Sequence, residues 1–571
     1  MSIVRGILVL AAVSIVSLPT VAQTRQTKPV TDQMLNNPSP DDWLHWRRTA
    51  DGWGYSPLNQ INRTNVKQLQ MVWGWTMRPG AQEGTPIVHD GVMYLPNPGD
   101  VIDALDAESG DLIWEYRRRL TKVEVEPRNA VRGLGIYDNK VYLNTLDAHI
   151  VALDAHTGNV VWDTQVADPH EGFYYGAAPL IVKGKVISGL EGCENFYESK
   201  CAVTALDAET GKELWRTETI AKPDEPGGGT WGDVPSLFRT GADMWLTGSY
   251  DPDLNLIYWP VTQAKPWTRA ARGTNGEALY SDSTIALDPE TGKIVWYHQY
   301  VPGETHDMDD SFENVLVDTG AHKALFEMGK LGILWEIDRR TGKFLHATDL
   351  HYQNLIDVNP ETGMATYRAG MIPKLNEEIN FCPSTAGFKG WRAMAYHPET
   401  HAFYVPIELS CDKAVFIDVE KVKGGGGLGD GMREARPFPT SDGNLGEFIA
   451  LDTTGKILWK HRQRAPFNSA ALTTGGGLVF VGDWNRYINA YDVKTGDLLW
   501  QTRAMTSPQG YPITYAVRGR QYIAIPIGQG IGRWATTIPA ALIPEMKMPN
   551  PGNGIVVYAL PQSANNRTIA H

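Results

Sequence analysis

A chain of 571 residues with 65 Asp and Glu against 52 Lys and Arg has a formal net charge of -13, which argues against nucleic acid and anionic lipid as partners and suits a basic protein. The four cysteines form an even set, as an oxidising compartment favours, and their spacing fits neither a zinc site nor the C-x-x-C-H of haem attachment. Length alone predicts several domains, but a domain made of repeats can be as long.

Residues 1–22 (MSIVRGILVLAAVSIVSLPTVA) carry one basic residue, an apolar run from Gly6 to Leu18 and a small-residue site before Gln23. That pattern is an export signal peptide and predicts the periplasm. The run is too short for a permanent anchor, and no other apolar run approaches membrane length, so no stable membrane insertion is expected. Residues 23–39, rich in Thr, Gln and Pro, predict a flexible lead-in. The remainder, 40–571, reads as one domain.

Within it a strand, a turn and a tryptophan recur: ALDAESGDLIW (104–114), ALDAHTGNVVW (152–162), ALDAETGKELW (205–215), ALDPETGKIVW (286–296), EIDRRTGKFLH (336–346), ALDTTGKILW (450–459) and AYDVKTGDLLW (490–500). In each copy an apolar strand ends at an Asp whose carboxylate can accept from backbone N–H groups two residues on, and a Gly supplies the positive φ of the turn. One unit cannot bury its own face, so the copies must stack, and the spacing is that of four-stranded β-propeller blades whose Trp docks into the next blade. Segment 58–75 and GIVVYAL (554–560) are expected to pair and close the ring, which removes free sheet edges. The prediction is an all-β, eight-bladed propeller.

Chemistry-bearing residues lie between the repeats. Glu191 in SGLEGCE ends an apolar strand just before Cys193 and Cys201, and Cys382 and Cys411 flank a later loop; local pairing is the simplest connectivity. In GETHDMDDSFE (303–313), Asp307 and Asp309 are two apart, so in a strand they share a face and repel unless a cation or proton intervenes. Two readings stay open: a solvated acidic loop, or part of an oxygen-ligand cation cage with Glu191 and a side-chain amide. Trp245, Trp391 and Trp534 lie outside the repeat, where a packing role is the default. Lys423–Gly431 (KGGGGLGDG) lacks the Lys-Ser/Thr of a phosphate loop and predicts a flexible surface loop.

On these residues the chain resembles the pyrroloquinoline quinone (PQQ) dependent alcohol dehydrogenases, the methanol and ethanol dehydrogenase family of eight-bladed quinoproteins, over essentially the whole mature chain. The repeat is similar to the family's A-x-D-x-x-T-G-x-x-x-W motif, and 245–267 matches a family segment without gaps. The resemblance implies Glu191, Gln263, Asp307 and Asp309 as metal ligands, with Gln263 in place of an Asn. It implies Asp307 as the catalytic base. Asp309 is similar to the extra acid of the lanthanide-using branch, so the metal is calcium or a lanthanide. PQQ would be met by Glu83, Arg132, Ser188, Gly189, Trp245, Lys330, Trp391 and Trp534.

Two departures concern the upper wall of the pocket. Glu126 and Pro127 replace the family's adjacent cysteine pair, and Gly176 replaces a Thr, which together suggest a roomier pocket. The implied reaction is oxidation of a primary or bulky secondary alcohol to an aldehyde or ketone. Electrons would pass to a soluble periplasmic cytochrome c, and a homodimer is compatible with the sequence. The rival reading is a non-catalytic periplasmic propeller that scaffolds other proteins, which leaves the two-Asp cluster unexplained.

Overall fold

The computed structural model describes residues 27–120, 130–320, 322–549 and 552–562. The expected signal peptide and the Glu126–Pro127 departure lie outside them. Among the described residues, strand dominates, and eight sheets have four or five strands each. The first is Ile87–His89, Val92–Asn97, Val101–Asp106 and Leu112–Arg117, paired antiparallel in chain order.

Burial follows the position of each strand in its sheet. Val92–Asn97 is buried at every residue, whereas Leu112–Arg117 alternates and buries only Trp114. An inner strand is covered on both faces and so reads as a continuous apolar run; an outer strand meets solvent on one face and must alternate. At each repeat the register shifts by one residue beside the turn, as between Ala104 and Leu105 or Ala205 and Leu206, the mark of a β-bulge that adds twist.

The repeat turns form as their chemistry dictates. Asp154 Oδ1 accepts from the backbone N–H of His156 at 3.0 Å and of Thr157 at 2.8 Å, and Gly158 takes φ +72°. In several repeats the indole then reaches the turn of the next one. Trp114 Nε1 donates to Ala155 O at 3.0 Å, Trp162 to Ala208 O at 3.1 Å, Trp215 to Pro289 O at 3.0 Å and Trp459 to Val493 O at 3.0 Å. A Cβ on Gly158 would lie 2.5 Å from the Trp114 ring, so that glycine is required both by its φ and by the close approach of the indole.

The two ends of the chain share a sheet. Gln70–Met77 pairs antiparallel with Asn553–Ala559, Trp75 opposite Ile555. The lead-in differs from expectation, because its described part, from residue 27, is held in place. Val30 and Leu35 are buried in the core cluster that contains Ile136, Val30 N–H donates to Asp138 O at 2.9 Å, and Thr31 caps a helix at Asp32–Asn36. Apolar burial and hydrogen bonding together fasten a segment that composition alone reads as loose. The glycine-rich segment is also fastened rather than free, since Gly427 N–H donates to Glu194 O at 2.8 Å and Phe196 N–H to Gly425 O at 2.8 Å.

Disulfides join Cys193 to Cys201 and Cys382 to Cys411. No described helix is long and apolar enough to cross a membrane.

Candidate active site

Three buried cations organise the site, and each stands between two carboxylates. Arg132 Nε meets Glu83 Oε2 at 3.0 Å and its Nη1 meets Glu191 Oε1 at 3.3 Å. Lys330 Nζ lies 3.2 Å from Asp307 Oδ1 and 2.8 Å from Asp309 Oδ2. Lys265 Nζ lies 2.6 Å from Asp243 Oδ2 and 3.1 Å from Glu194 Oε1. Burial works against the charge on Arg132, Lys330 and Lys265, but the paired acids outweigh it and raise all three pKa values. The cations therefore stay charged.

Glu83, Arg132, Glu191, Asp243, Trp245, Gln263, Lys265, Trp391 and Trp534 all line one cavity of about 250 Å³. The Arg132 guanidinium lies 5.5 Å over the Trp245 ring and 4.9 Å over that of Trp391, so the two indoles face a common polar plane. Phe312 meets Trp245 edge-on at 5.0 Å. Trp391 is fixed by its own carbonyl, which accepts from the Tyr511 hydroxyl at 2.7 Å.

Gln263 joins this cavity to the aspartate pair. Its Nε2 donates to Asp307 Oδ1 at 2.5 Å and its backbone N–H to Asp309 Oδ1 at 3.3 Å, while its Oε1 is buried without a partner. Asp307 sits at φ +71°, an uncommon conformation for a residue other than glycine, held by donation from its N–H to Glu304 Oε2 at 3.2 Å and from Lys330 Nζ to its carbonyl at 2.8 Å. Burial lifts the Asp307 carboxyl to about 7; Lys330 pulls it down and Asp309 pushes it up. Burial also raises Glu83 and Glu191, against the pull of Arg132.

Ser188 and Gly189 stand apart from the lining. Both are buried in the strand that leads to Glu191, and Ser188 Oγ donates to Asn144 Oδ1 at 2.9 Å. The space left by Gly176 is not open volume, because a Cβ there would lie 2.5 Å from Glu191 Oε1 and 2.6 Å from Arg132 Nη1. The absent side chain lets those two groups meet and does not enlarge the pocket.

The sequence reading missed Asp243, Lys265, Asp412 and Arg433. Arg433 lies 4.3 Å over the Trp267 ring, with Nη1 4.0 Å from Asp307 Oδ2 and 3.9 Å from Asp412 Oδ2. No motif or repeat in the sequence signalled any of them.

The donors suit a hard cation and a planar anion. Gln263 Oε1 is a buried acceptor without a donor, beside the carboxylates of Asp307 and Asp309, and carbonyl and carboxylate oxygens are what calcium-like ions take. Glu191 is drawn to Arg132 instead. Among the described residues, the only three Asp, Glu, His or Cys ligand atoms within 4.8 Å of one another are those of Cys193, Cys201 and Asp243, two of which form a disulfide. Arg132 and Lys330 thus hold the acids in two groups. The two indoles lining the cavity and the cations beside it suit a flat, multiply anionic molecule.

The family model described as PQQ, glucose/ethanol/alcohol dehydrogenase, beta-propeller domain, matches residues 43–366 and 443–523, leaving out the stretch that carries Trp391, Asp412 and Arg433. The quinoprotein alcohol dehydrogenase PedH of Pseudomonas putida is 32% identical over 90% of this chain and 90% of its own length. A quinoprotein ethanol dehydrogenase of Pseudomonas putida is 30% identical over 91% of each chain. Among solved structures, a europium-containing methanol dehydrogenase superposes with a TM-score of 0.84 at 26% identity, covering 93% of this chain and 100% of that one.

Proposed function

The chain belongs to the PQQ-dependent alcohol dehydrogenase family, and from that premise we propose that it oxidises primary or bulky secondary alcohols to aldehydes or ketones at the site around Asp307. The observation that carries this reading is the orphaned Gln263 Oε1 beside Asp307 and Asp309, a cation-binding edge open to a cavity walled by Trp245 and Trp391. A scaffold protein has no use for so many buried charges, whose desolvation is costly.

We assign PQQ to Glu83, Arg132, Trp245, Lys330, Trp391 and Trp534, with Ser188 and Gly189 behind them, and one metal ion, calcium or a lanthanide, to Glu191, Gln263, Asp307 and Asp309. When bound, PQQ and its metal supply the hydride acceptor and the Lewis acid. Arg132 and Lys330 orient anionic groups. Trp245 and Trp391 exclude water. Asp307 Oδ2, not engaged by Gln263 or Lys330, takes the proton of the substrate hydroxyl as general base. Arg433 faces that same oxygen.

The fold reading that goes with this function is eight blades, one per sheet of four or five strands, joined by tryptophan docking, to which the indole-to-turn hydrogen bonds lend support. All four cysteines are paired, which leaves none to tether a haem, and a soluble periplasmic cytochrome c is the proposed electron acceptor. The net charge of -13 would steer a basic one.

Cation uptake by the PQQ-free protein tests the site. With the Asp307 carboxyl near 7, the folded protein holds a proton there below that pH, and a cation must displace it. Apparent affinity for calcium or lanthanum is therefore expected to rise by up to about tenfold per pH unit from pH 5.5 to 7 and to level off above. Titrations with the same affinity at pH 5.5 and 8 would contradict this assignment.

A further inference from the structure

Lys265 is a buried ammonium to which neither the repeat pattern nor the site assigned above gives a role. It lies on the short strand Ala264–Lys265, which pairs with Thr240–Gly241. Two residues after Gln263, it lines the same cavity as Gln263, Glu191, Trp245 and Trp391. Its side chain is 10% exposed.

Its partners are themselves anchored. Asp243 Oδ1 accepts from Cys193 N–H at 2.8 Å, beside the disulfide. Glu194 accepts Gly427 N–H through its carbonyl at 2.8 Å and meets Lys265 with a carboxylate that is 33% exposed. Burial opposes the charge on Lys265, yet Asp243 and Glu194 hold its pKa well above the ordinary value. An ammonium has three N–H donors; Asp243 and Glu194 account for two.

We propose that Lys265 binds a carboxylate of the cofactor, as a cationic anchor in the cavity that Arg132 also lines, in addition to Lys330 at the aspartate pair. The assignment rests on the proposed function. A carboxylate buried in this cavity needs a charge-assisted donor to offset its desolvation. Asp243 and Glu194 pre-position the ammonium, so little side-chain entropy is lost on binding.

The test measures PQQ affinity by quenching of tryptophan fluorescence in the metal-loaded protein, with the PQQ trimethyl ester as an uncharged control. Lys265→Met leaves Asp243 buried and unpaired, so the double variant Lys265→Met/Asp243→Asn is made as well; its Asn can still accept from Cys193 N–H. Both variants are expected to bind PQQ about tenfold or more weakly than the wild type, with ester binding unchanged, and Lys265→Arg to bind PQQ within about threefold of it. PQQ affinity unchanged in the double variant overturns the proposal. So does an equal loss for PQQ and its ester, which would mean packing and not charge. If the wild type binds no PQQ at all, the proposed function falls and this assignment with it.

Discussion

Asp307→Asn is expected to lower alcohol turnover by about 10²- to 10⁴-fold, the usual worth of a positioned general base, while leaving the fold intact. The substitution keeps the shape of the side chain. Its Oδ1 can still accept from Gln263 Nε2 and Lys330 Nζ, as the carboxylate does at 2.5 Å and 3.2 Å. Asn also tolerates the φ of +71° at this position as well as Asp does. What it cannot do is take a proton. Dye-linked steady-state assays of the PQQ- and metal-loaded variant, with a thermal melt alongside, separate the two effects. Turnover within about threefold of wild type, with PQQ and metal bound, would remove Asp307 from the chemistry.

A second large effect is expected in stability. Lys389 and Glu313 form an ion pair with both side chains fully buried. Glu313 also accepts from Met394 N–H at 2.8 Å, and the Lys389 ammonium lies 4.5 Å over the Phe312 ring. Lys389→Met leaves the Glu313 charge without its cation in a site that water does not reach. Breaking such a pair from one side costs about 3–5 kcal/mol, whereas replacing both partners can be close to neutral. The urea midpoint should therefore drop sharply in Lys389→Met and recover most of the way in Lys389→Met/Glu313→Gln. A single variant within about 1 kcal/mol of wild type would contradict the argument.

The position of this pair gives the measurement functional weight. Glu313 ends the segment that bears Asp307, and Lys389 lies two residues before Trp391, so the pair ties the proposed base to the aromatic wall of the cavity.

The fold was readable because its signals are local. An Asp and a Gly within one short repeat specify a turn and a positive φ, which form at Asp154 and Gly158, and the repeat's Trp162 donates to Ala208 O. The outer strand Gln70–Met77 and its partner Asn553–Ala559 were legible for a different reason, since each is an apolar strand left without a neighbour by the repeats. The lead-in was misread because composition averages over a segment and does not register the burial of Val30 and Leu35 or the bond from Val30 N–H to Asp138 O.

The site was legible only where a residue lies in a recognisable run. Glu191, Gln263, Asp307 and Asp309 follow apolar strands or repeats. The family resemblance implied all four as ligands of one metal ion, but it could not show that Arg132 meets Glu191 while Lys330 meets the two aspartates. Lys265 and Asp243 acquire meaning only as a pair, with the strands Ser249–Asp251 and Leu256–Val261 between them in sequence and no motif to link them. Arg433 reaches Asp307 from a strand in the stretch that the family model does not match.

The central claim, that this propeller-family chain is a PQQ-dependent alcohol dehydrogenase, is tested most directly by loading the purified protein with PQQ plus calcium or a light lanthanide. Dye-linked oxidation is then followed across primary and secondary alcohols. Stoichiometric PQQ binding with alcohol-dependent dye reduction under at least one metal is the predicted result, and absence of PQQ binding under both metals would contradict it.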